Sequence, residues 1–186
     1  MKLRYIALLL SGLSGPLFAA DYNVDKTTSR IEFSGEHVGN PFKGTFSDWD
    51  AVIKFDPENL NESSILVTVK TASANTGDPV YDKSLPTADW FDVATYPKAT
   101  FQSKSIKKNP DGSYTAKGTL TIKKKEVEKE LNFSLSPADL KTPPIKTKFS
   151  IELDRLALGL GATADANADY VGRKVVLSVE LSASPK

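Results

Sequence analysis

The sequence predicts an all-β protein of antiparallel strands, on three observations. Apolar and polar residues alternate through most of the chain after residue 20, and turn-forming residues cluster between these runs. Helix-start chemistry is found in a single segment. About eight short strands joined in this way are typical of a barrel or a sandwich. A closed eight-stranded barrel has room for one small ligand in its interior.

Length and composition exclude several classes of function. The 186 residues suit one domain, and 24 Lys and Arg against 23 Asp and Glu leave no basic excess for binding nucleic acid. Cysteine is absent, which excludes a thiol nucleophile, a disulfide framework and a thiolate metal site. His37 is the sole histidine, so a His-rich metal centre is excluded as well. We expect no metal, no catalytic cofactor and no nucleic-acid partner.

The first twenty residues have the three parts of a secretory signal peptide. Met1–Tyr5 carries two basic residues, Ile6–Leu10 is apolar, and small and apolar residues continue to the end of the segment. The apolar run is too short to span a bilayer. We expect cleavage after Ala19 or Ala20, which makes residues 1–20 a signal peptide and residues 21–186 the exported domain. An uncleaved anchor is the alternative.

Strands of the first half follow from period-two alternation. The alternation slips by one residue at Ser47-Asp48, which predicts a β-bulge or a bend. The apolar positions of these strands are Ile31, Phe33, Phe42, Gly44, Phe46, Trp49, Ala51, Ile53, Phe55, Ile65, Val67 and Val69.

Strands of the second half show the same alternation, with a hairpin turn predicted at Asn109–Gly112. Small residues on the apolar faces (Gly44, Ala116, Gly118) would leave room for a ligand or mark tight bends and close packing. The positions that share a face in these strands are Ala99, Phe101, Ser103, Tyr114, Ala116, Gly118, Leu120, Ile122, Ile145, Thr147, Phe149, Ile151, Leu153, Val175, Leu177, Val179 and Leu181.

Residues 127–135 are ambiguous between helix and strand. Val127, Leu131 and Leu135 have helical spacing, yet every second residue of this segment also fits the apolar face of a strand, if Lys129 is allowed. We predict a strand, because residues 123–125 then form a polar hairpin turn beside neighbouring strands.

Short helical turns are expected across Asp78–Asp92. Asp78 is a suitable N-cap and Pro79 a suitable first helical residue, whereas Pro86 prevents one long helix. Two long connections result, Thr71–Lys98 and Asp154–Lys174, and the Gly- and Ala-rich second one should be irregular.

Candidates for chemistry are few. Asp165–Asp169 resembles the start of a calcium loop, but Tyr170 and Val176 stand where Gly and a bidentate acid are needed. His37 beside an acid would be a candidate base for a hydrolase, but no nucleophile motif supports it. Lys123–Lys125 with Lys129 is read as a solvated turn, or as a site that attracts an anionic head group.

In the order and spacing of its motifs, the chain resembles the YceI-like family of exported bacterial lipid-binding proteins, from about Asp21 to Ala183. The motifs that carry the resemblance are Tyr22–Asp25, Ser29–Phe33, His37–Gly39, Phe42–Phe46, Thr71–Gly77, Asp82–Leu85, Ala88–Asp92, Tyr96–Phe101, Gly118–Ile122, Leu158–Gly161 and Val171-Gly172.

The resemblance implies an extended, eight-stranded, lipocalin-like antiparallel barrel in the periplasm. It implies an apolar tunnel that holds an isoprenoid chain, from a polyprenyl phosphate or a quinone. Asn40–Phe42 and Trp90-Phe91 look like the branch found beside cytochrome b561-type membrane proteins, a possible partner. Lys123–Glu126 and Pro79–Tyr81 depart from the family's pattern, so the resemblance assigns no head-group contacts to those loops.

Thirteen residues are predicted to surround the tunnel, each with a packed core position as the alternative. Trp90 and Phe91 are expected to cover one end, and His37 and Tyr170 to supply polar tips at the rim. The full set is Phe33, His37, Phe42, Phe46, Trp90, Phe91, Phe101, Leu120, Phe133, Phe149, Leu158, Leu160 and Tyr170.

Three functions compete at this stage. The first is a periplasmic carrier of an isoprenoid lipid or quinone, without catalytic residues. The second is an accessory protein that docks on a cytochrome b561-type membrane redox partner. The third is a hydrolase that uses His37 or acidic residues. No dimer motif is present, so we expect a monomer or a homodimer.

Overall fold

A computed structural model describes residues 19–137, 140 and 142–186. Eleven antiparallel strands, one short α-helix and two 3₁₀ turns make up this part of the chain, which confirms the all-β prediction. Residues 1–18 of the predicted signal peptide lie outside the described residues, so the signal peptide stays a prediction. The strands are β1 (Ala20–Val24), β2 (Arg30–His37), β3 (Asn40–Phe46), β4 (Trp49–Phe55), β5 (Ser64–Lys70), β6 (Ala74–Asn75), β7 (Lys98–Lys108), β8 (Tyr114–Ile122), β9 (Lys125–Phe133), β10 (Ile145–Asp154) and β11 (Lys174–Pro185), with α1 at Pro79–Ser84 and the 3₁₀ turns at Leu60–Glu62 and Thr71–Ser73.

One sheet contains all the strands, in the order β6-β3-β2-β11-β1-β4-β5-β7-β8-β9, with β10 on the other edge of β11. β1 and β2 lie one after the other along the same edge of β11, as the pairs Val24–Ala183 and Arg30–Glu180 show. β4 and β3 follow along β1 and β2 in the same way. These broken strands are one reason why the count exceeds the eight predicted.

The seam between β9 and β10 decides whether the sheet closes. Among the described residues it is joined by one backbone bridge, between Ser136 and Lys146, and by the Lys129 ammonium, which donates to the carbonyl of Glu152 at 3.0 Å. No continuous ladder links the two strands there. A closed eight-stranded barrel is therefore not confirmed, and the sheet is an eleven-stranded one with an open seam.

Local predictions hold at the turns. The break predicted at Ser47-Asp48 separates β3 from β4. Residues 125–133 form β9, so the helical alternative for this segment is wrong. Asp78 caps α1 by accepting from the Val80 N–H at 2.8 Å. In the part of the chain that is described, no helix is long and apolar enough to cross a bilayer.

Two glycines of the sheet mark close packing rather than free space. A Cβ on Gly44 would lie 2.4 Å from the Phe33 ring, and one on Gly118 would lie 2.3 Å from the Gln102 carbonyl and 2.7 Å from the Phe101 ring. Aromatic rings therefore cover both glycines. Ala116 is fully buried in the core. Room for a ligand does not come from these small residues.

Candidate ligand-binding cavity

The inward faces of the strands enclose one continuous cavity of about 230 Å³. Its lining comes from every strand except the two-residue β6, because alternate side chains of a strand point to the same face of the sheet. Almost all of the lining side chains are apolar. The exceptions are Tyr22, Trp49, Trp90, Thr100, Thr147 and Arg155.

The cavity has two distinct ends. At the cover end, β2 and β10 finish and β3 and β11 begin, and the connections 76–97 and 155–173 lie across these strand ends. We call these two connections the cover segments. At the terminal end, β1 begins and β11 finishes. Phe55, Tyr114 and Phe133 pack there ring against ring, with centroids 5.2 and 5.8 Å apart.

Ten of the thirteen predicted residues line the cavity, although their contact with a ligand stays a prediction. They are Phe33, Phe42, Phe46, Trp90, Phe91, Phe101, Leu120, Phe133, Phe149 and Leu160.

The other three predicted residues, His37, Leu158 and Tyr170, lie off the cavity. Leu158 is buried in the core, as its alternative assignment stated. Tyr170 is 63% exposed, and the Val38 N–H donates to its carbonyl at 2.7 Å. Sequence reasoning could not orient either residue, because an irregular connection has no periodicity from which to infer direction. The rim position of Tyr170 stays a prediction.

His37 does not line the cavity, but it contacts a tyrosine that packs against the cavity wall. Its Nδ1 lies 3.0 Å from the Tyr81 hydroxyl, and the Tyr81 ring packs against Phe42 with centroids 6.0 Å apart. Phe42 in turn lines the cavity. Among the described residues, the hydrogen bond of the His37 side chain goes to this tyrosine, so the geometry places no acid or nucleophile on the imidazole for hydrolysis.

Arg155, which sequence reasoning missed, is the most buried charged group described, at 1% exposure. Its Nη2 donates to Asp165 at 2.6 Å, its Nη1 to the Leu160 carbonyl at 2.8 Å and its Nε to the Val171 carbonyl at 3.2 Å. The guanidinium also lies 5.6 Å from the Trp90 ring centroid. The second N–H of Nη1 reaches the Gly161 carbonyl at 3.3 Å, and the second N–H of Nη2 reaches the Val171 carbonyl at 2.7 Å. Arg155 therefore has no donor to spare for a ligand phosphate. The sequence offered one signal for this role, a basic residue directly before the apolar start of an irregular connection.

Asp165 completes this buried pair, in the segment that resembled a calcium loop. Burial raises the pKa of its carboxyl group, but N–H donors from Val171, Tyr170 and Asp169, together with Arg155, outweigh burial and lower the pKa below its usual value. The nearest backbone donors are the N–H groups of Asp169 and Val171, each 2.8 Å from a carboxylate oxygen. The carboxylate therefore organises the connection around an arginine. Among the described residues, no group of three or more potential metal ligands converges.

The two cover segments are tied to each other and to the β8–β9 turn. The Asp89 carboxylate accepts from the Thr163 and Ala164 N–H groups at 2.9 and 3.0 Å. The Lys123 ammonium donates to the carbonyls of Ala88 and Gly159 at 2.8 and 3.2 Å. Lys123 therefore joins the cover to the sheet, which is a third role beside the solvated turn and head-group site considered from sequence.

Many further lining residues were not among the thirteen predicted for the tunnel, although most of them stand at alternating positions of the predicted strands. The tunnel residues predicted from sequence were mainly aromatic. Whether a side chain lines the cavity, however, depends on its position along the strand and not on its type. The residues added by the structure are Tyr22, Ile31, Trp49, Ala51, Ile53, Phe55, Ile65, Val67, Val69, Leu85, Ala99, Thr100, Ile122, Leu131, Leu135, Leu140, Ile145, Thr147, Ile151, Leu153, Arg155, Val171, Val175, Leu177, Val179, Leu181 and Ala183.

An antiparallel sheet around an apolar internal cavity defines a class of β proteins built to enclose a small hydrophobic molecule. Within that class, the profile of the YceI-like domain matches residues 22–183. The chain belongs to the YceI-like domain family, and the resemblance drawn from its motifs is confirmed.

Relatives and solved structures agree with this assignment. Protein YceI of Shigella sonnei is 38% identical over 114 residues, which are 60% of this chain and 59% of that protein. The alignment thus spans about three fifths of that relative's length. The crystal structure of Burkholderia cenocepacia BcnA matches with a TM-score of 0.80 and 27% identity, over 87% of this chain and all of that one. A polyisoprenoid binding domain from Saccharophagus degradans matches with a TM-score of 0.65 and 16% identity, over 90% of this chain and 99% of that one, which shows the fold alone.

Proposed function

We propose that the protein binds an isoprenoid lipid in its cavity and acts as a binding or carrier protein in the periplasm rather than as an enzyme. The observation that carries this proposal is the cavity itself, which is walled by apolar side chains from ten strands. Membership of the YceI-like family and the likeness to the polyisoprenoid binding domain of Saccharophagus degradans support the choice of an isoprenoid. The segment 1–20 supports export.

Cavity size limits how much of a lipid fits. A cavity of roughly 150 Å³ holds benzene, so about 230 Å³ encloses on the order of two five-carbon isoprene units. Each unit contributes at most about 4 kcal/mol, at about 0.8 kcal/mol per buried carbon. A longer chain requires the aromatic residues of the lining to separate, and part of the binding energy offsets that rearrangement.

The charged groups of the cavity lining limit which ligand head group the cavity can hold. Among the described lining residues Arg155 is the sole cation, and its donors are already used. A phosphate inside the cavity would thus lack a counter-ion, at a high desolvation cost. This supports a neutral isoprenoid, such as a quinone, over a polyprenyl phosphate held with its head group inside.

Extraction of the purified, exported protein tests the proposal. We expect mass spectrometry of the organic extract to find an isoprenoid, and the emptied protein to take up decylubiquinone with quenching of tryptophan fluorescence. Trp49 and Trp90 both line the cavity and report on occupancy. Phe101→Asp should abolish uptake by placing a charge in the lining, whereas the exposed Lys104→Asp should not. An extract without lipid, together with no uptake, would overturn the proposal.

A second candidate function is docking on a membrane redox partner of the cytochrome b561 type. It is favoured by exposed apolar side chains at the cover end, where Val38, Val80 and Tyr170 are 60, 69 and 63% exposed. Val38 and Tyr170 are joined by a backbone hydrogen bond, and Val80 precedes the tyrosine that contacts His37. Co-purification with membranes that contain such a cytochrome, lost on Val80→Glu, tests it. Retention by the variant would remove this candidate.

A further inference from the structure

A groove on the outer surface of the sheet crosses the β9–β10 seam. Asn132 lies on its β9 side, Lys148 and Ser150 lie on its β10 side, and we call it the seam groove. Two further residues of this groove, Phe133 and Phe149, also line the internal cavity. Their rings lie across the seam from each other, with centroids 6.3 Å apart. Two aromatic side chains therefore form the partition between the cavity and the outside at this place.

No ladder of backbone hydrogen bonds holds this partition in place among the described residues. The described contacts that join the seam, Ser136 with Lys146 and Lys129 with Glu152, stand on either side of Phe133. The stretch between them is about 20 Å long, at about 3.3 Å per residue. The neighbouring pair β8 and β9, in contrast, is joined by a continuous ladder. The two rings can therefore separate without breaking backbone pairing.

The two ends of the cavity are held more firmly than the seam. At the cover end, the buried pair of Arg155 and Asp165 and the hydrogen bonds of Lys123 fix the cover segments. At the terminal end, the Phe55 and Tyr114 rings pack edge to face between strands that ladders hold. A molecule that enters or leaves the cavity thus meets the least resistance at the seam, because passage there disrupts ring contacts but no hydrogen-bonded ladder.

Polar partners for a ligand are available in the seam groove and not in the cavity. The donors of Arg155 are engaged, and the Thr147 hydroxyl oxygen is buried. In or beside the seam groove, the side chains of Asn132, Ser134 and Ser150 are exposed. Strand edges without a ladder also present unpaired backbone N–H and C=O groups. A polar head group is therefore solvated better in the seam groove than inside the cavity.

Charges around the seam groove favour an uncharged head group. The Lys148 ammonium lies 2.5 Å from the Glu180 carboxylate, which also pairs with Arg30. Hydrogen bonds from the hydroxyl and the N–H of Ser113 lower the pKa of the Asp111 carboxyl, so this lining residue is ionised at neutral pH. The two cations and two carboxylates leave no net positive charge to balance a phosphate.

We propose that the bound lipid lies across the β9–β10 seam, with an uncharged head group in the seam groove and its hydrocarbon chain passing between Phe133 and Phe149 into the cavity. This inference rests on the proposed lipid-binding function and adds to it the site and the class of the head group. The Asn132 amide donates to a carbonyl or hydroxyl oxygen of that head group. Hydrocarbon alone then fills the cavity, in keeping with its apolar lining.

A disulfide across the seam tests the passage. The register of the Ser136–Lys146 bridge, continued along both strands, sets Asn132 opposite Ser150, and the chain has no cysteine of its own. The variant Asn132→Cys with Ser150→Cys is emptied while reduced and then oxidised. It should take up decylubiquinone at least about tenfold more slowly than the reduced form, which corresponds to about 1.4 kcal/mol of added barrier.

The matched control links β10 to β11 instead. Ser150→Cys with Ser178→Cys joins two strands that a ladder already holds, at hydroxyls 2.9 Å apart. Its rate of uptake should not depend on oxidation. Equal rates for the oxidised and reduced seam variant would overturn the passage, and so would equal slowing in this control.

A substitution of the partition covers the case in which the seam cysteines do not join. Phe149→Leu should speed the uptake of decylubiquinone, because a smaller side chain then closes the seam. Phe101→Leu makes the same change in the cavity lining where ladders join β7 to both neighbours, and it should leave the rate unchanged. The same rate for both variants would overturn the passage.

Affinity tests the head-group site separately. Asn132→Ala should weaken decylubiquinone and farnesol about fivefold, the effect of one lost hydrogen bond of about 1 kcal/mol, and leave the hydrocarbon farnesene unchanged. Asn23→Ala is the control, because Asn23 is an exposed asparagine of β1 outside the seam groove. Unchanged binding of all three probes by Asn132→Ala, or equal weakening of all three, would overturn this site. Failure of the unmodified protein to bind any probe would instead overturn the lipid-binding function itself.

Discussion

The two ends of the cavity solve the problem of buried polar groups in opposite ways. At the cover end, a buried arginine and aspartate are paired with each other and with backbone groups. At the terminal end, Thr147 and Asp56 each keep a buried oxygen that has no partner among the described residues. The contrast separates a fully paired polar network, which closes the cover end, from buried oxygens whose lack of partners costs stability.

The largest effect should come from breaking the closure with Arg155→Met. Asp165 then remains buried without its charge partner, and loss of one partner of a buried pair typically costs about 3–5 kcal/mol. Urea unfolding measures this loss. The exposed pair between Arg173 and Asp154, at 2.7 Å, is the control, and Arg173→Met should cost under about 1 kcal/mol. Similar losses for the two variants would contradict the assignment of the buried pair as the closure.

Packing of the cover is tested by a pair of glycines with left-handed backbone. Gly161 has φ of +66°, and a Cβ there would lie 2.8 Å from Arg155 and 3.1 Å from Trp90. Gly159 has φ of +73° and nothing within 4 Å. Gly161→Ala should destabilise by about 2–4 kcal/mol, since it adds overpacking to backbone strain. Gly159→Ala should cost only the strain, about 1–2 kcal/mol. Thermal unfolding ranks the two, and equal losses would show that the cover is loosely packed.

Acid should weaken the stabilisation that the buried Arg155–Asp165 pair gives to the fold. The pKa of Asp165 is lower in the folded protein than in the unfolded chain, so its stabilising effect is complete above the unfolded value of about 3.9. It is lost as the pH falls through the folded pKa. The difference in unfolding free energy between the unmodified protein and Asp165→Asn should therefore be constant from pH 7 to about 5 and shrink below about pH 4. A difference that does not change with pH would mean that this carboxylate is not ionised in the fold.

The smallest effect is expected at the terminal end, with the opposite sign. Without ligand, Thr147→Val should stabilise the protein by up to about 1 kcal/mol, because it removes an unpaired buried hydroxyl. Calorimetry of the emptied protein measures this gain. A loss of stability would show that the hydroxyl is already paired in the emptied protein, and the contrast between the two ends would disappear.

Much of the fold follows from local alternation. Period-two patterns located the strands around Phe33, Phe101 and Phe149, and a slip of one residue located the break between β3 and β4. The same alternation placed Thr147 on one face with Ile145 and Phe149, because the direction of a side chain in a strand depends only on its position. What the pattern could not show is that its hydroxyl meets no partner, since that depends on side chains from β11 and from the far wall.

The sequence by itself determined that this protein is all-β, which residues share a face of each strand, and, through its ordered motifs, that it belongs to the YceI-like family. Only the tertiary structure decided the roles of Arg155, Asp165 and Lys123, which lie in or beside irregular connections. Their partners are remote in the chain or are backbone carbonyls, which carry no sequence information. It also decided that the β9–β10 seam stays open among the described residues and that rings cover Gly44 and Gly118. The physical reason is the same throughout: periodicity encodes direction, whereas pairing and closure depend on distance in space.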